Sequence, residues 1–171
     1  MQFFNLNENT FLITWNQNLD SNLTNLLTSY RNIIMSICGD DIQDCVQSIK
    51  SLLVIINNNG SSTKEIIEKI KMIDPKKINT KNKKIKVWKI PVCYDLEFAP
   101  DIQAVSDLNN ISIQDLIEIH LSKTYDVLSM GFLPGFMYLG KTDNRIHCER
   151  KVKPSLKIKK GSIGLALNQT C

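Results

Sequence analysis

The stretch from Gly131 to Gly140, which reads Gly-Phe-Leu-Pro-Gly-Phe-Met-Tyr-Leu-Gly, limits the backbone more tightly than any other part of the chain. Pro134 restricts its own φ, and Gly135 accepts a positive φ without steric cost. Residues 133–136 therefore predict a tight turn, most simply of type II. Aromatic side chains beside glycines are typical of the lip of a pocket, although a glycine-bent strand corner that only fills a core explains the local chemistry equally well. Three aromatic residues surround the turn: Phe132, Phe136 and Tyr138.

The composition is that of a globular chain with an adequate apolar core. The 171 residues suit one domain or two small ones, 43% of them are apolar, and the formal net charge is +4. Lysines concentrate in residues 64–89 and 150–160, where polar and aliphatic residues separate them. The first run contains a single aromatic residue, Trp88, and the second contains none, so both lack the series of interspersed aromatics that stacks on bases, and we expect solvated faces and no nucleic-acid partner.

Cysteine spacing and hydropathy exclude several other classes of protein. The five cysteines form no C-x-x-C pair and have no histidine at metal-ligand spacing, so we expect reduced, mainly structural thiols and no metal site. The first residues lack the basic region of a signal peptide, and no apolar run approaches the roughly 20 residues that span a bilayer. We therefore expect a cytoplasmic protein without a membrane partner.

Strand and helix patterns alternate along the first part of the chain. Phe11–Trp15 is rich in β-formers, and Asp20 can cap a helix that Gly39 ends. Strands are predicted at residues 42–47 and 51–56, and the nearly continuous apolar run of the second indicates a buried central strand. The apolar residues of the predicted helix recur at helical spacing: Leu23, Leu26, Leu27, Tyr30, Ile33, Ile34 and Ile37.

A second helix and a further strand complete this pattern. Ser62 and Glu65 form a capping box, and Pro75 ends the helix that follows. Ile85–Val92 then has the composition of a strand. The resulting order, β-α-β-β-α-β, is that of the ferredoxin-like module. We predict a small α+β domain over residues 1–89 with a scaffold or docking role, because its polar side chains suit caps and solvated faces.

The second half is predicted to be β-rich with two inserted helices. The helices are expected at residues 101–108 and 113–122, the second capped by Ser112 with Asp115. Two short helices also suggest a DNA-binding helix-turn-helix, but the second carries outward acids and no cation before Lys123. Short strands are predicted at residues 125–129, 146–148, 155–158 and 162–167.

His120 lies on the apolar stripe of the second of these helices, with Leu116 and Ile117. A lone histidine in such a position is more often a satisfied core residue than a catalytic group. Its unperturbed pKa near 6.5 also suits proton transfer, so both interpretations stay open.

The stretch Gly131–Gly140 resembles the signature G-F-L-P-G-F-P-Y-L-G of the family that includes the B-type subunit of 5-oxoprolinase, allophanate hydrolase subunit 1 and the sporulation-kinase inhibitor KipI. The resemblance is specific from about Pro91 to Thr170. Met137 replaces the proline of the signature, and Asp95, Leu96 and Ala99 stand where glycines are common. Further segments follow in the family's order: Ile90–Tyr94, Glu97–Phe98, Pro100–Asp101, Ile119–His120, Gly161–Gly164 and Gln169–Thr170.

This resemblance implies an N-terminal α+β domain followed, over residues 90–171, by a cyclophilin-like β-barrel. Family members continue past the Gln169–Thr170 segment, so the barrel is expected to be incomplete in this chain. The implied function is that of a non-autonomous subunit of an ATP-dependent 5-oxoprolinase complex, which opens 5-oxoproline to glutamate.

The resemblance also implies partners and a cofactor. One partner is a homologous barrel subunit, of the kind found as the C-type subunit of 5-oxoprolinase or as allophanate hydrolase subunit 2. The other is the A-type subunit of 5-oxoprolinase. ATP is expected to bind on a partner, because this chain has no G-x-x-x-x-G-K-[ST] loop for phosphates.

The implied substrate is a small cyclic amide bound at the lip, with His120 as the candidate catalytic residue. The KipI branch implies an alternative, in which the same surface docks on a sensor histidine kinase and inhibits it. An inactive truncated remnant is the third interpretation. The predicted substrate-binding residues are Gly131, Phe132, Pro134, Gly135, Phe136, Tyr138 and Gln169.

Overall fold

Helices and strands alternate along the chain in a mixed α+β fold, as predicted. The computed structural model describes residues 1–18, 20–57, 61–78 and 86–171. The elements in chain order are β1 (Gln2–Asn7), β2 (Thr10–Thr14), α1 (Ser21–Cys38), β3 (Ile42–Gln47), β4 (Ser51–Ile56), α2 (Thr63–Lys71), α3 (Ile102–Asn109), α4 (Ile113–Leu121), β5 (Val127–Met130), β6 (Met137–Leu139), β7 (Leu165–Ala166) and β8 (Gln169–Thr170).

The described residues belong to two compact units. The first unit takes its residues from Met1–Lys83 and Leu128–Met137, and the second from Lys84–Val127 and Tyr138–Cys171. Each unit has its own cluster of buried apolar side chains. The division into domains at residues 1–89 and 90–171 stays a prediction.

Helix α1 begins and ends where the sequence predicts. The Asp20 carboxylate accepts a hydrogen bond from the Leu23 N–H at 2.8 Å, which satisfies one free donor of the first turn. Gly39 has a positive φ of 46° and donates its N–H to the Met35 carbonyl, which ends the helix. The buried stripe of the helix consists of Leu23, Leu27, Tyr30, Ile34 and Cys38.

Strand β4 is the pairing centre of the first sheet, whose order is β1-β2-β4-β3. Both β2 and β3 run antiparallel to β4 and lie on either side of it, so α1 connects two parallel strands that are not neighbours. Leu52, Val54 and Ile56 of β4 are buried. The predicted central strand is confirmed.

The predicted β-α-β-β-α-β order differs from the order observed in the described part of residues 1–78, which is β-β-α-β-β-α. Residues 86–92 form no strand, and residue 85 lies outside the described residues. The edge beside β2 is occupied instead by β1, which pairs with it antiparallel. Strand β1 was not predicted because only Phe3 of its six residues is even partly buried, so it lacks the alternation of a half-buried strand.

Helix α2 begins at the predicted capping box. The Glu65 carboxylate accepts a hydrogen bond from the Ser62 N–H at 2.8 Å, and Ser62 Oγ accepts one from the Glu65 N–H at 3.3 Å. Ile66 and Ile70 of this helix are fully buried. The cap therefore holds the first turn in place while these isoleucines join the core.

Replacing Ser62 with alanine removes an acceptor for the first-turn amides, and we expect the free energy of unfolding to fall by about 1 kcal/mol. Urea titration followed by circular dichroism measures this change. Ser36→Ala is the matched control, because Ser36 is an exposed residue inside α1 and caps nothing. An equal loss in both variants would contradict the capping role.

The second unit packs α3 and α4 against a 3₁₀ turn at Asn144–Ile146. Ser112 and Asp115 form the predicted capping box of α4. The core of this unit contains Ile102, Leu116, Ile119 and Ile146. Both predicted helices are confirmed to within one residue at each end.

The second sheet has the order β5-β6-β8-β7 and consists of short strands. It does not close into a barrel among the described residues. The strand predicted at residues 162–167 is shorter than expected and corresponds to β7. The strand predicted at residues 146–148 is replaced by the end of the 3₁₀ turn and a single bridge from Cys148 to Leu167. The strand predicted at residues 155–158 is absent. Strand β8 was not predicted because two residues are too few to show a period.

No helix among the described residues combines the length and the apolar character needed to cross a bilayer. The five cysteines are free, and Cys38, Cys45 and Cys148 are buried. Burial raises the pKa of the Cys45 thiol to about 11, which keeps this group protonated and unreactive at neutral pH.

Candidate functional site

The hairpin between β5 and β6 carries the predicted turn. The Phe136 N–H donates to the Leu133 carbonyl at 3.0 Å, and Gly135 has a φ of 81°. These two features are those of a turn with Pro134 at the second position and glycine at the third. Residues 131–135 are exposed, so the turn presents its side chains to solvent.

Phe132 adopts a positive φ of 67°, which the sequence did not predict. The Leu133 N–H donates to the Gly131 carbonyl at 2.8 Å across this single residue, which is the geometry of a strained γ-turn. The Phe132 ring is 81% exposed and meets the Phe136 ring edge to face, with centroids 5.7 Å apart. Strained backbone of this kind is concentrated at functional sites.

His120 lies near the end of α4 and is buried. Its Nδ1 is 2.6 Å from the Tyr94 hydroxyl, and its Nε2 is 3.4 Å from the Thr170 hydroxyl. The Tyr125 ring packs against the imidazole, with centroids 5.5 Å apart, and the Tyr125 hydroxyl donates to the His120 carbonyl at 2.8 Å. We refer to Tyr94, His120, Tyr125 and Thr170 as the histidine cluster.

The hydrogen bonds of the cluster select one tautomer. Thr170 Oγ1 donates to the Gly164 carbonyl at 3.1 Å, so it can only accept from His120. Nε2 therefore carries the proton, and Nδ1 accepts the proton of the Tyr94 hydroxyl. With a neutral imidazole, every polar hydrogen in this series has an acceptor.

Burial determines the electrostatics of the cluster. Desolvation lowers the pKa of His120 below its ordinary value, and it raises the pKa of Tyr94 and Tyr125. All three groups are therefore held in their neutral forms at neutral pH. The two ring nitrogens hydrogen-bond to two hydroxyls, so Tyr94 and Thr170 are the described side chains with which His120 can exchange a proton directly.

The hairpin β7–β8 positions Thr170. The Cys171 N–H and carbonyl pair with those of Gly164 at 3.0 Å each, and a side chain at Gly164 would place its Cβ 3.0 Å from Cys171 Sγ. A side chain at position 164 would therefore require Cys171 Sγ to move by a few tenths of an ångström. The strand pleat directs Gln169 and Thr170 to opposite faces, and it is Thr170 that reaches His120.

The predicted site residues are divided between the two units. Gly131, Phe132, Pro134, Gly135 and Phe136 belong to the first unit, whereas His120, Tyr138 and Gln169 belong to the second. Tyr94, Tyr125 and Thr170 were not predicted as site residues. Tyr94 and Thr170 lie in segments that carry the family resemblance, but no spacing rule connects either to His120 in the sequence.

Two surface cavities of the described residues lie elsewhere, in the first unit. One of about 430 Å³ is lined mainly by apolar residues of α1 and of the segment after α2, including Ile33, Ile37 and Ile73. The other, of about 710 Å³, is lined mainly by polar residues around the β1–β2 turn. Within the described ranges, no group of three or more His, Cys, Asp or Glu side chains is arranged to hold a metal ion.

The sequence of residues 1–171 matches the family model described as "Carboxyltransferase domain, subdomain C and D". The chain belongs to this family. The chain is similar to the B-type subunit of 5-oxoprolinase from Bacillus subtilis, with 42% identity over 85 residues. The matched residues make up 50% of this chain and 35% of that protein. The corresponding B-type subunit from Escherichia coli O157:H7 is 28% identical over 132 residues, or 76% of this chain and 59% of that protein.

The fold of the carboxyltransferase-domain chain also matches a solved crystal structure, that of TTHA0988. The TM-score is 0.76 at 19% identity, over 94% of this chain and 31% of the other. This similarity concerns the fold alone. The matches to the two curated relatives above span 35% and 59% of the lengths of those proteins.

The lowered pKa of His120 gives a testable pH dependence. The unfolded chain binds a proton at His120 near pH 6.5, whereas the folded chain resists it, so the free energy of unfolding should fall as the pH drops below about 6.5. His120→Gln should flatten this part of the profile, measured by urea titration at a series of pH values.

His147→Gln is the matched control for this measurement. The chain has two histidines, and His147 is exposed. Its replacement should leave the slope of the profile unchanged. A slope that survives in His120→Gln, or disappears in His147→Gln, would contradict the assignment of a buried neutral imidazole at position 120.

Proposed function

We propose that the chain acts as the B-type subunit of a 5-oxoprolinase, in a complex that opens 5-oxoproline to glutamate. The observation that carries the proposal is the buried, neutral His120 held between two hydroxyls. It occurs in a chain of the carboxyltransferase-domain family whose curated relatives are named as B-type subunits of 5-oxoprolinase.

The reaction needs controlled proton transfer. Opening the ring breaks the amide C–N bond, adds the oxygen of a water molecule to the carbonyl carbon, and leaves a proton on the nitrogen. A neutral imidazole bonded to a tyrosine hydroxyl suits this step, because Tyr94 can take a proton from the attacking water as it gives its own proton to Nδ1, and the reverse transfer then delivers a proton to the ring nitrogen. We assign proton transfer to His120, with Tyr94 as the group that relays the proton between His120 and the substrate.

We assign binding of the cyclic amide to the lip. Phe132, Phe136 and Tyr138 would supply apolar walls with few rotatable bonds, while Gly131 and Gly135 would allow close approach of the ring. The exposure of Phe132 and its strained backbone support this role. Pro134 would fix the turn.

We further propose that the other components of the reaction lie on partner subunits. One partner is a homologous barrel subunit, equivalent to the C-type subunit of 5-oxoprolinase or to allophanate hydrolase subunit 2, and the other is the A-type subunit of 5-oxoprolinase. ATP would bind on one of them, because the chain contains no G-x-x-x-x-G-K-[ST] loop. The location of the complex in the cytoplasm belongs to the same proposal.

The test is 5-oxoproline consumption by the chain mixed with both partner types and ATP, with glutamate measured as the product. His120→Gln should lower kcat by about 100-fold or more, the usual contribution of general acid–base catalysis. His147→Gln is the control and should keep full activity. No consumption by a complex that demonstrably forms would contradict the enzymatic proposal.

The lip is tested in the same assay. Phe132→Ala should raise KM several-fold with a smaller effect on kcat, because it removes a binding wall and no reacting group. Phe4→Ala, another exposed phenylalanine on β1, is the matched control. Equal kinetics of the two variants would remove the lip from the substrate site.

A second candidate function is inhibition of a sensor histidine kinase, as in the KipI branch. The observation that favours it is the exposure of Met130, Phe132 and Leu133 together at one hairpin, since such apolar side chains suit protein docking. Direct binding to a purified kinase domain, with loss of autophosphorylation, would support this function. Binding that Phe132→Ala leaves unchanged would count against it.

A further inference from the structure

The two hydroxyls that contact the His120 ring differ in what lies behind them. Thr170 Oγ1 donates its one hydrogen to the Gly164 carbonyl at 3.1 Å, and a backbone carbonyl is an acceptor that has no proton to return. Tyr94 has an ionisable hydroxyl and is half-buried, so it can exchange protons with a substrate. The hydrogen-bond series therefore ends at Thr170 and continues outward at Tyr94.

The position of Thr170 is fixed by strand pairing on both sides. Its backbone pairs with Leu139 of β6 and with Leu165 of β7, so β8 is an inner strand of the second sheet. Thr170 is 2% exposed, and its hydroxyl lies 3.4 Å from His120 Nε2. An inner strand satisfies its backbone groups through both neighbours, which holds the hydroxyl in front of the ring.

The orientation of the imidazole is fixed as well. The Tyr94 ring meets it edge to face with centroids 6.0 Å apart, and the Tyr125 ring packs against it at 5.5 Å. Rotating the His120 ring by half a turn would place carbon atoms where Nδ1 and Nε2 now meet the two hydroxyls. The ring therefore keeps Nε2 toward Thr170 and Nδ1 toward Tyr94.

This geometry decides which nitrogen of His120 acts as the base. A neutral imidazole carries one proton, on Nδ1 or on Nε2, and the hydrogen bond at one nitrogen selects the state of the other. An acceptor at Nε2 keeps the proton there, so the lone pair of Nδ1 faces the Tyr94 hydroxyl. The opposite tautomer would present an N–H to Tyr94, and Tyr94 could not pass its proton to the ring.

We propose that Thr170 is a positioning residue for the proton transfer assigned to His120. Its hydroxyl, directed by the Gly164 carbonyl, holds the imidazole proton on Nε2 and leaves Nδ1 able to accept the proton of Tyr94. The inference rests on the proposed function and deepens it, because it makes His120 a base first and an acid second.

Thr170 also serves the charged intermediate of this transfer. When Nδ1 takes a proton, Nε2 keeps its own, so the imidazolium still donates to Thr170 Oγ1. Hydrogen bonds from a charged donor are stronger than those from a neutral one. The same hydroxyl therefore suits both protonation states of His120, and no proton of the reaction passes through it.

Nitrogen-15 NMR of the full chain, labelled at histidine, tests the proposal without a partner. Long-range proton–nitrogen correlations distinguish the two neutral tautomers, and His120→Gln assigns the signals because the chain has two histidines. Above about pH 8, where histidine is neutral, His120 should be the Nε2–H tautomer. In Thr170→Val the Nδ1–H tautomer should become populated, because a buried N–H without an acceptor is unfavourable.

Two further variants separate the hydroxyl from the packing of the side chain. Thr170→Ser retains the hydroxyl and should restore the Nε2–H tautomer. Thr142→Val is the matched control, since Thr142 is 4% exposed and its Oγ1 has no hydrogen-bond partner among the described residues. Thr170→Val should stay folded, because the Gly164 carbonyl still accepts the Cys171 N–H at 3.0 Å, and thermal melting checks this.

Kinetics of 5-oxoproline consumption with both partner types and ATP supply the second measurement. Thr170→Val should lower kcat about tenfold with little change in KM, because it removes a hydrogen bond to the imidazolium and no binding wall. The acid limb of the kcat profile should move to lower pH, since the charged ring must keep its Nε2 proton without an acceptor. The titratable groups that contact the ring, Tyr94 and Tyr125, are neutral in this range. Thr170→Ser and Thr142→Val should resemble the original chain.

The outcomes separate this role from the proposed function. An Nδ1–H tautomer in the original chain, an Nε2–H tautomer that persists in Thr170→Val, or an equal change in Thr142→Val overturns the role of Thr170 and leaves the enzymatic proposal intact. A shifted tautomer with an unchanged kcat overturns it too. If the original chain in a complex that forms consumes no 5-oxoproline, the proposed function fails with the part of Thr170 in turnover, while NMR still decides whether Thr170 selects the tautomer.

Discussion

The pairing of β4 with both β2 and β3 is the constraint on which the first unit depends. The N–H and C=O groups of a central strand can be satisfied only by neighbours on both sides, so β4 fixes the register of β2 and β3. Its inward residues also meet the apolar stripe of α1, which is why an 18-residue helix lies on this sheet. The outer strand β1 depends on this arrangement and adds little burial of its own.

The structure of a segment could be predicted where its sequence has a clear hydrophobic period or recognisable cap residues. Helix α1, β3, β4 and both capping boxes have either a long periodic pattern or paired cap residues, and they were predicted with their ends nearly correct. Strand β1 could not be predicted, because an edge strand with exposed side chains has no apolar alternation. Residues 155–158 have the alternation but pair with no other described residue, which shows that a strand pattern does not suffice for a sheet.

His120 shows why a site is harder to predict than a fold. The sequence offered a satisfied core histidine or a proton-transfer group as alternatives. In the structure His120 has the properties of both, since it is buried and fully hydrogen-bonded, and its two partners are hydroxyls that can pass protons. Tyr94 and Thr170 lie 26 and 50 residues away in the chain, and only tertiary structure brings them to the ring.

The γ-turn at Phe132 implies that this residue is kept at a cost in folding stability. Glycine would adopt a φ of 67° without strain, and any polar residue would expose less apolar surface. A chain optimised only for folding would therefore not keep a phenylalanine at that position. The residue is better understood as a stability cost that the first unit can tolerate because β4 and α1 hold its core together independently of the hairpin.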